Sequence, residues 1–388
     1  MEVLFVSHKY PPAVGGMEKQ SLELVSGMKK HTTVHTIVYT GGESRLKFFL
    51  SLEQRITETC RKHPGISVIH FNDALIAAVC LRHKGYAHLL RAVTVHGLDV
   101  VFPSKIYQKY ILPVFNRFDL IVAVSRATAN ACIERGINAQ KVIVVNNGVD
   151  TALAETSSSP DFHHFFNKKY GIDLRGKIVL TTLGRPVQRK GFSWFIKEVV
   201  PELKGDFVFL MIGPFHKKRS LSDRLFHCLP QKIRAKAALF LGYPTDENTI
   251  RNMLLKGSHD PKVMHLGKLP FDDIQRILHA ANAFVMPNIR VEGDMEGFGL
   301  VCLEAALCGT TVFASEIDGI TDAIQHHKNG ILLPSKNAAA WVSALNDLIQ
   351  NPSTYAAQAQ DAKTYTLENF GWDKMADAYW KHFKMLRR

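Results

Sequence analysis

The densest run of chemistry-bearing residues lies between Met286 and Ala306. It reads Pro287-Asn288-Ile289-Arg290-Val291-Glu292-Gly293-Asp294-Met295-Glu296-Gly297-Phe298-Gly299-Leu300, with Glu304 following. Glu296 and Glu304 could be the acid and base of a glycoside hydrolase. If the stretch were helical, however, eight steps of ~1.5 Å would separate them by about 12 Å, against roughly 5 to 5.5 Å for a retaining pair. Their spacing suits two ends of one extended ligand better: Glu296 accepting from sugar hydroxyls and Glu304 from a ribose diol. A helix starting near Phe298 would turn the N–H groups of Phe298, Gly299 and Leu300 towards a phosphate.

A second cluster, Gly184-Arg185-Pro186-Val187-Gln188-Arg189-Lys190-Gly191, puts three cations and two glycines in one loop. Arg offers forked hydrogen bonds and Lys a point charge, so Arg185 and Lys190 can neutralise a diphosphate without a metal. Near the N-terminus, Gly15 and Gly16 open a strand-to-helix turn that tolerates phosphate. Neither G-x-G-x-x-G nor G-x-x-x-x-G-K-[ST] occurs there, so a standard dinucleotide or ATP loop is unsupported. His96-Gly97 follows an apolar run and presents an imidazole at a strand end, where a plain surface histidine among the 18 is the competing reading. No D-x-D motif occurs, and His31 and His35, although i and i+4, adjoin a strand pattern. No metal and no other cofactor is expected.

Twelve short apolar runs must position these groups: Val3–Val6, Val34–Val38, Val68–Phe71, Ala92–Val95, Leu120–Val124 and Val142–Val145 in one set. Ile178–Leu180, Phe207–Ile212, Val263–Leu266, Ala283–Met286, Thr311–Phe313 and Ile331–Leu333 form the other. Continuously apolar strands alternating with helices predict two parallel, doubly wound α/β domains, with ligands beyond the carboxyl ends of the strands in a cleft between them. The serine-rich tract 156–160 reads as the connection, with domains at 1–160 and 161–371. The tail 372–388 has helical spacing and is expected to pack back onto the first domain. The chain has 388 residues and a formal charge of +13, which points to an anionic partner. No run approaches a membrane span, no signal peptide is evident, and the six cysteines contain no C-x-x-C pair. A cytoplasmic enzyme with reduced thiols is expected.

Taken together, the motifs resemble those of the retaining, nucleotide-sugar-dependent glycosyltransferases of family 4 (group 1 glycosyl transferases), whose GT-B fold is two facing Rossmann-like domains. The resemblance is carried by Pro11-Pro12-x-x-Gly15-Gly16-x-Glu18, His96-Gly97, Asn147-Gly148-Val149-Asp150, Gly184-Arg185 to Lys190-Gly191, Leu266-Gly267, Glu296 to Glu304 and Asn329-Gly330 to Pro334. It implies a hexosyltransferase-type enzyme that moves a sugar from a UDP- or GDP-linked donor to a hydroxyl of a saccharide or lipid-linked acceptor, in surface polysaccharide or glycolipid synthesis. It assigns Arg185 and Lys190 to the diphosphate, Glu296 to the transferred sugar, Glu304 to the ribose and His96 to the sugar near its reacting carbon. Gly15, Gly16, Gly184, Gly267, Leu269, Gly297, Phe298, Gly299 and Leu300 would complete the donor site.

The sequence departs from the family pattern at Asn288, at Phe215, and at Asp318-Gly319-Ile320-Thr321-Asp322, where Gly-Gly-x-x-Glu is usual. The stretch 214–262 looks like an insertion, with ten Lys or Arg against four Asp or Glu, and Leu221, Leu225, Phe226 and Leu229 beside them. A contact with the inner face of an anionic membrane is expected there, with a solvated cover as the alternative. A basic nucleic-acid-binding protein would also explain the charge, but no such module is recognised and nucleic acid is not expected. Sugar phosphorylases and nucleotide-sugar epimerases share the fold and remain alternatives.

Overall fold

A computed structural model describes residues 1–155, 162–215, 245–256 and 262–386. The chain divides into two compact units: Met1–Val149 with Met295–Leu300 and Phe370–Arg388, and Asp150–Asp294 with Val301–Asn369. The connection 156–160, most of the stretch 214–262 with its four apolar residues, and Cys228 lie outside the described residues.

Each of the twelve apolar runs is a strand. The first unit holds β1 (Glu2–Ser7), β2 (Val34–Val38), β3 (Ile66–Phe71), β4 (Leu90–Val95), β5 (Leu120–Ala123) and β6 (Val142–Val144). They form one parallel sheet in the order β2-β1-β3-β4-β5-β6. The second unit holds β7 (Ile178–Leu183), β8 (Phe207–Ile212), β9 (Val263–Gly267), β10 (Ala283–Met286), β11 (Thr311–Ser315) and β12 (Ile331–Leu333). Their order is β12-β11-β10-β7-β8-β9, again all parallel. Helices cover both faces of such sheets, so side chains of both parities are apolar, and every residue of β8 and β10 is buried. β7 runs three residues beyond its apolar stretch because Thr181 and Thr182 are β-branched and buried, Thr181 Oγ1 donating to the Leu210 carbonyl at 3.2 Å.

In the first unit two layers sandwich the sheet. Phe48, Ile76, Val100, Phe115 and Cys132 fill one side. Leu24, Val25 and Met28 of the helix Gly16–Met28 fill the other, together with Trp372, Met375, Tyr379 and Phe383 of the helix Trp372–Met385. The C-terminal helix is also fixed by polar contacts: Tyr379 Oη lies 2.8 Å from Thr94 Oγ1, which lies 2.9 Å from His70 Nε2. Burial drives the His70 imidazole down to about 3, with the charge of His96 adding to the shift. Among the described residues five cysteines are free thiols, and burial pushes Cys80, Cys132 and Cys308 up to about 12. No described helix is long and apolar enough to cross a membrane.

Candidate functional site

In the second unit the loops leaving β7 and β10 are laced together. Gly184 follows β7, and a Cβ built on it would stand 3.5 Å from Lys190 Cε, so the bare glycine backbone is the surface along which the buried Lys190 stem lies. Gly191 has a left-handed φ of 66°, and a Cβ there would run into the Pro287 carbonyl oxygen; both conditions demand glycine. The Ile289 N–H donates to the Arg189 carbonyl at 2.8 Å, and Arg189 Nη1 stands 3.2 Å from both oxygens of the buried Asp294. Of the loop's three cations, Arg189 thus ties it to its neighbour, Lys190 is buried inside it and Arg185 is exposed.

Two further strand ends meet this loop. The Gly213 N–H, after β8, donates to the Gly267 carbonyl at 2.9 Å, and a Cβ on Gly213 would collide with the Gly184 carbonyl oxygen. Gly184, Gly213 and Gly267 therefore form one close-packed glycine edge, with Leu269 buried just beyond it. Phe215, the departure noted after Gly213, stacks on His265 with ring centroids 3.5 Å apart, and the Arg251 guanidinium lies 4.4 Å from its centroid. Asp318, where glycine is usual, keeps a positive φ of 50°. Glu304 is half-buried in the helix Leu300–Leu307.

That helix begins at Leu300, two residues later than the sequence suggests. Gly299 has a φ of 94°, which no right-handed helix accepts, so Phe298 and Gly299 belong to the loop. The segment Met295–Leu300 packs with the first unit. There a Cβ on Gly297 would collide with the His96 carbonyl oxygen, and a Cβ on Gly97 would stand 3.0 Å from Gly297 Cα. Leu300 Cδ1 lies 3.3 Å from the position of a Cβ on Gly16. The structure thus brings Glu296-Gly297 to His96-Gly97, and Leu300 to Gly16. Gly15 is extended, and a Cβ on it would meet the Glu18 carboxylate.

His96 is held by two partners. Its backbone N–H reaches both oxygens of Asp99, at 2.8 and 3.1 Å, and its Nε2 lies 2.8 Å from the Asn72 carbonyl, so Nε2 carries the proton and donates. Burial raises the Asp99 carboxyl, against the opposing charge of His96. Beside it, Asp73 caps the helix Ala74–Cys80 by accepting from the Ile76 N–H, while its other oxygen lies 2.9 Å from His8 Nδ1. Burial alone would raise Asp73; the contacts with His8 and the Ile76 N–H outweigh it and hold the carboxyl below its usual range. His8, Asn72, Asp73 and Asp99 were not singled out by sequence. The available signal was positional, since each lies within four residues of a strand's carboxyl end. Among the described residues no group of three His, Cys, Asp or Glu side chains could hold a metal ion.

Comparison with known proteins follows the same division. The family model for glycosyl transferases group 1 matches residues 166–365, and that for glycosyltransferase family 4 matches residues 2–153. An uncharacterized glycosyltransferase of Methanocaldococcus jannaschii is 23% identical over 318 residues, 80% of this chain and 71% of that protein. The amylovoran biosynthesis glycosyltransferase AmsK of Erwinia amylovora is 24% identical over 305 residues, 76% of this chain and 65% of the relative. The crystal structure of HepE from Anabaena in complex with UDP and glucose superposes with a TM-score of 0.74 at 18% identity, covering 99% of this chain and 100% of HepE. With its two six-stranded parallel sheets, each in a Rossmann-like domain of the GT-B fold, the chain belongs to the group 1 glycosyl transferases of family 4.

Proposed function

We propose that the chain transfers a sugar, with retention at the anomeric carbon and without a metal, from a nucleoside diphosphate to a hydroxyl of a saccharide or lipid-linked acceptor. The observation that carries this reading is the buried Lys190 laid along Gly184 at the glycine edge formed by three strand ends. A cation fixed against open backbone suits a diphosphate, whose charge grows as the bond to the sugar breaks. Lys190 and Arg185 stabilise that leaving group, Glu304 takes the ribose, and Glu296 takes the hydroxyls of the transferred sugar. His96, with its proton fixed on Nε2, stands at the sugar. The acceptor attacks from the side the diphosphate leaves, and the departing phosphate oxygen receives the acceptor's proton. UDP, bound in the HepE structure, supports a uridine donor, with GDP as the alternative. The name of the AmsK relative, an amylovoran biosynthesis glycosyltransferase, supports an acceptor in polysaccharide synthesis. The reading sets the reaction in the cytoplasm, at the inner face of a membrane.

The test is thermal stabilisation by UDP, GDP, ADP and CMP in EDTA. Ligand at 100 times its dissociation constant adds about 2.7 kcal/mol. One uridine or guanosine nucleotide should shift the melting temperature in EDTA, and Arg185→Ala should diminish the shift. No shift with any nucleotide would overturn the donor assignment; turnover with inversion, read by NMR of the product, would overturn retention.

A further inference from the structure

We infer that the outer face of one helical layer of the first unit docks on an anionic lipid surface. The helices Arg45–Leu50, Ala74–Cys80 and Leu98–Val101 and the segment Tyr107–Arg117 bury Phe48, Ile76, Val100 and Phe115 in a single cluster on one side of the sheet. These segments, with Ile106 just before the last, expose large apolar groups: Leu46 is 69% exposed, Leu50 78%, Ile106 68% and Tyr110 62%. Leu75 and Val79, one turn apart on Ala74–Cys80, are exposed as well. These segments leave the carboxyl ends of β2, β3 and β4. From β1, which lies between β2 and β3, the loop carries Val14, 94% exposed.

Charge decides what covers this face. Stretches 44–52, 74–98 and 100–118 contain eight Lys or Arg, and the acids Glu43, Glu53, Asp73, Asp99 and Asp119 flank them. The cations alternate with the exposed apolar groups, in Arg45-Leu46-Lys47, Lys105-Ile106 and Lys109-Tyr110, and the Lys109 ammonium lies 5.2 Å from the Tyr110 ring centroid. Apolar side chains that enter the acyl boundary while neighbouring cations meet headgroup phosphates are the requirement of an interfacial surface. A second copy of the chain would bring the exposed Arg45, Lys47, Lys105 and Lys109 of two faces against one another. The surface rests on the proposed transferase reading for its meaning: it makes the acceptor a saccharide carried on a lipid. It also assigns the membrane contact to the first unit rather than to the basic stretch 214–262.

Co-sedimentation with phosphatidylglycerol vesicles, against phosphatidylcholine vesicles, tests the surface. The chain should bind the anionic vesicles and release in high salt. Leu46→Glu combined with Ile106→Glu should weaken binding at least tenfold. Arg45→Gln combined with Lys47→Gln should weaken it on the order of tenfold, as two cations near an anionic surface contribute. The substituted side chains are exposed, and an unchanged far-UV spectrum and nucleotide-induced melting shift confirm the fold. A wild-type chain that stays in the supernatant overturns the inference. So do variants that sediment like wild type, or a wild-type dimer by light scattering that the variants dissociate without any change in vesicle binding. Vesicle binding without any nucleotide shift would instead sink the transferase reading and leave the surface standing.

Discussion

The second unit makes its candidate site from backbone and cations, whereas the first makes its own from buried side chains. Around Gly184 the features proposed to bind an anion are contiguous in sequence: glycines that let chain segments approach, and Arg185, Arg189 and Lys190 between them. Around His96 the corresponding groups come from three strands 24 to 88 residues apart: His8 after β1, Asn72 and Asp73 after β3, and His96 and Asp99 after β4. A loop can bind phosphate with its own atoms, so its whole signature fits in eight residues. Orienting an imidazole takes partners on several sides, and a parallel sheet supplies them from strands that are neighbours in space but not in the chain.

The largest expected effect separates the units by stability. Ending the chain at Phe370 removes Trp372, Met375, Tyr379 and Phe383 from the first unit's core, at ~1.5–3 kcal/mol each on an area basis, an upper bound. The loss rivals the whole stability of a typical domain. Limited proteolysis should digest 1–149 while a fragment of the second unit survives; equal survival of both would show that the helix is dispensable. Next, Lys190→Ala should reduce transfer by about 10²–10³-fold, the scale of removing one preorganised stabiliser of transition-state charge. Glu296→Ala should abolish most transfer too, with nucleotide binding retained because its proposed partner is the sugar. Steady-state kinetics beside nucleotide melting shifts would check both, and near-normal turnover in the two variants would remove the site assignment.

Smaller effects test how each unit is built. Gly191→Ala forces a side chain into a left-handed backbone and against the Pro287 carbonyl, so it should cost ~1–3 kcal/mol in urea unfolding of the second unit. A neutral result would mean the two loops can part without penalty. In the first unit His70 titrates near 3 when folded and near 6.5 when unfolded. The unfolded chain therefore binds more protons in that window. The stability is complete above 6.5 and is lost as pH falls towards 3, by at most ~1.4 kcal/mol per pH unit. His70→Gln should flatten that part of the profile; an unchanged slope would assign it to other histidines.

Sequence alone determined the two sheets, because a strand buried on both faces must be apolar at nearly every position. All twelve runs, from Val3–Val6 to Ile331–Leu333, are strands. It also marked the cationic glycine loop and the Glu296 to Glu304 stretch, whose chemistry is local. It misjudged the start of the helix at Leu300, because glycine takes helical and positive φ alike and its residue type does not announce the φ of 94° at Gly299. Only the tertiary structure decided that Met295–Leu300 joins the first unit, as the tail 372–388 was expected to, that Arg189 is tied to Asp294, and that His96 is fixed by Asn72 and Asp99. Each depends on which segments the sheets set side by side, and strand order is a property of how twelve similar apolar runs pair, not of any one of them.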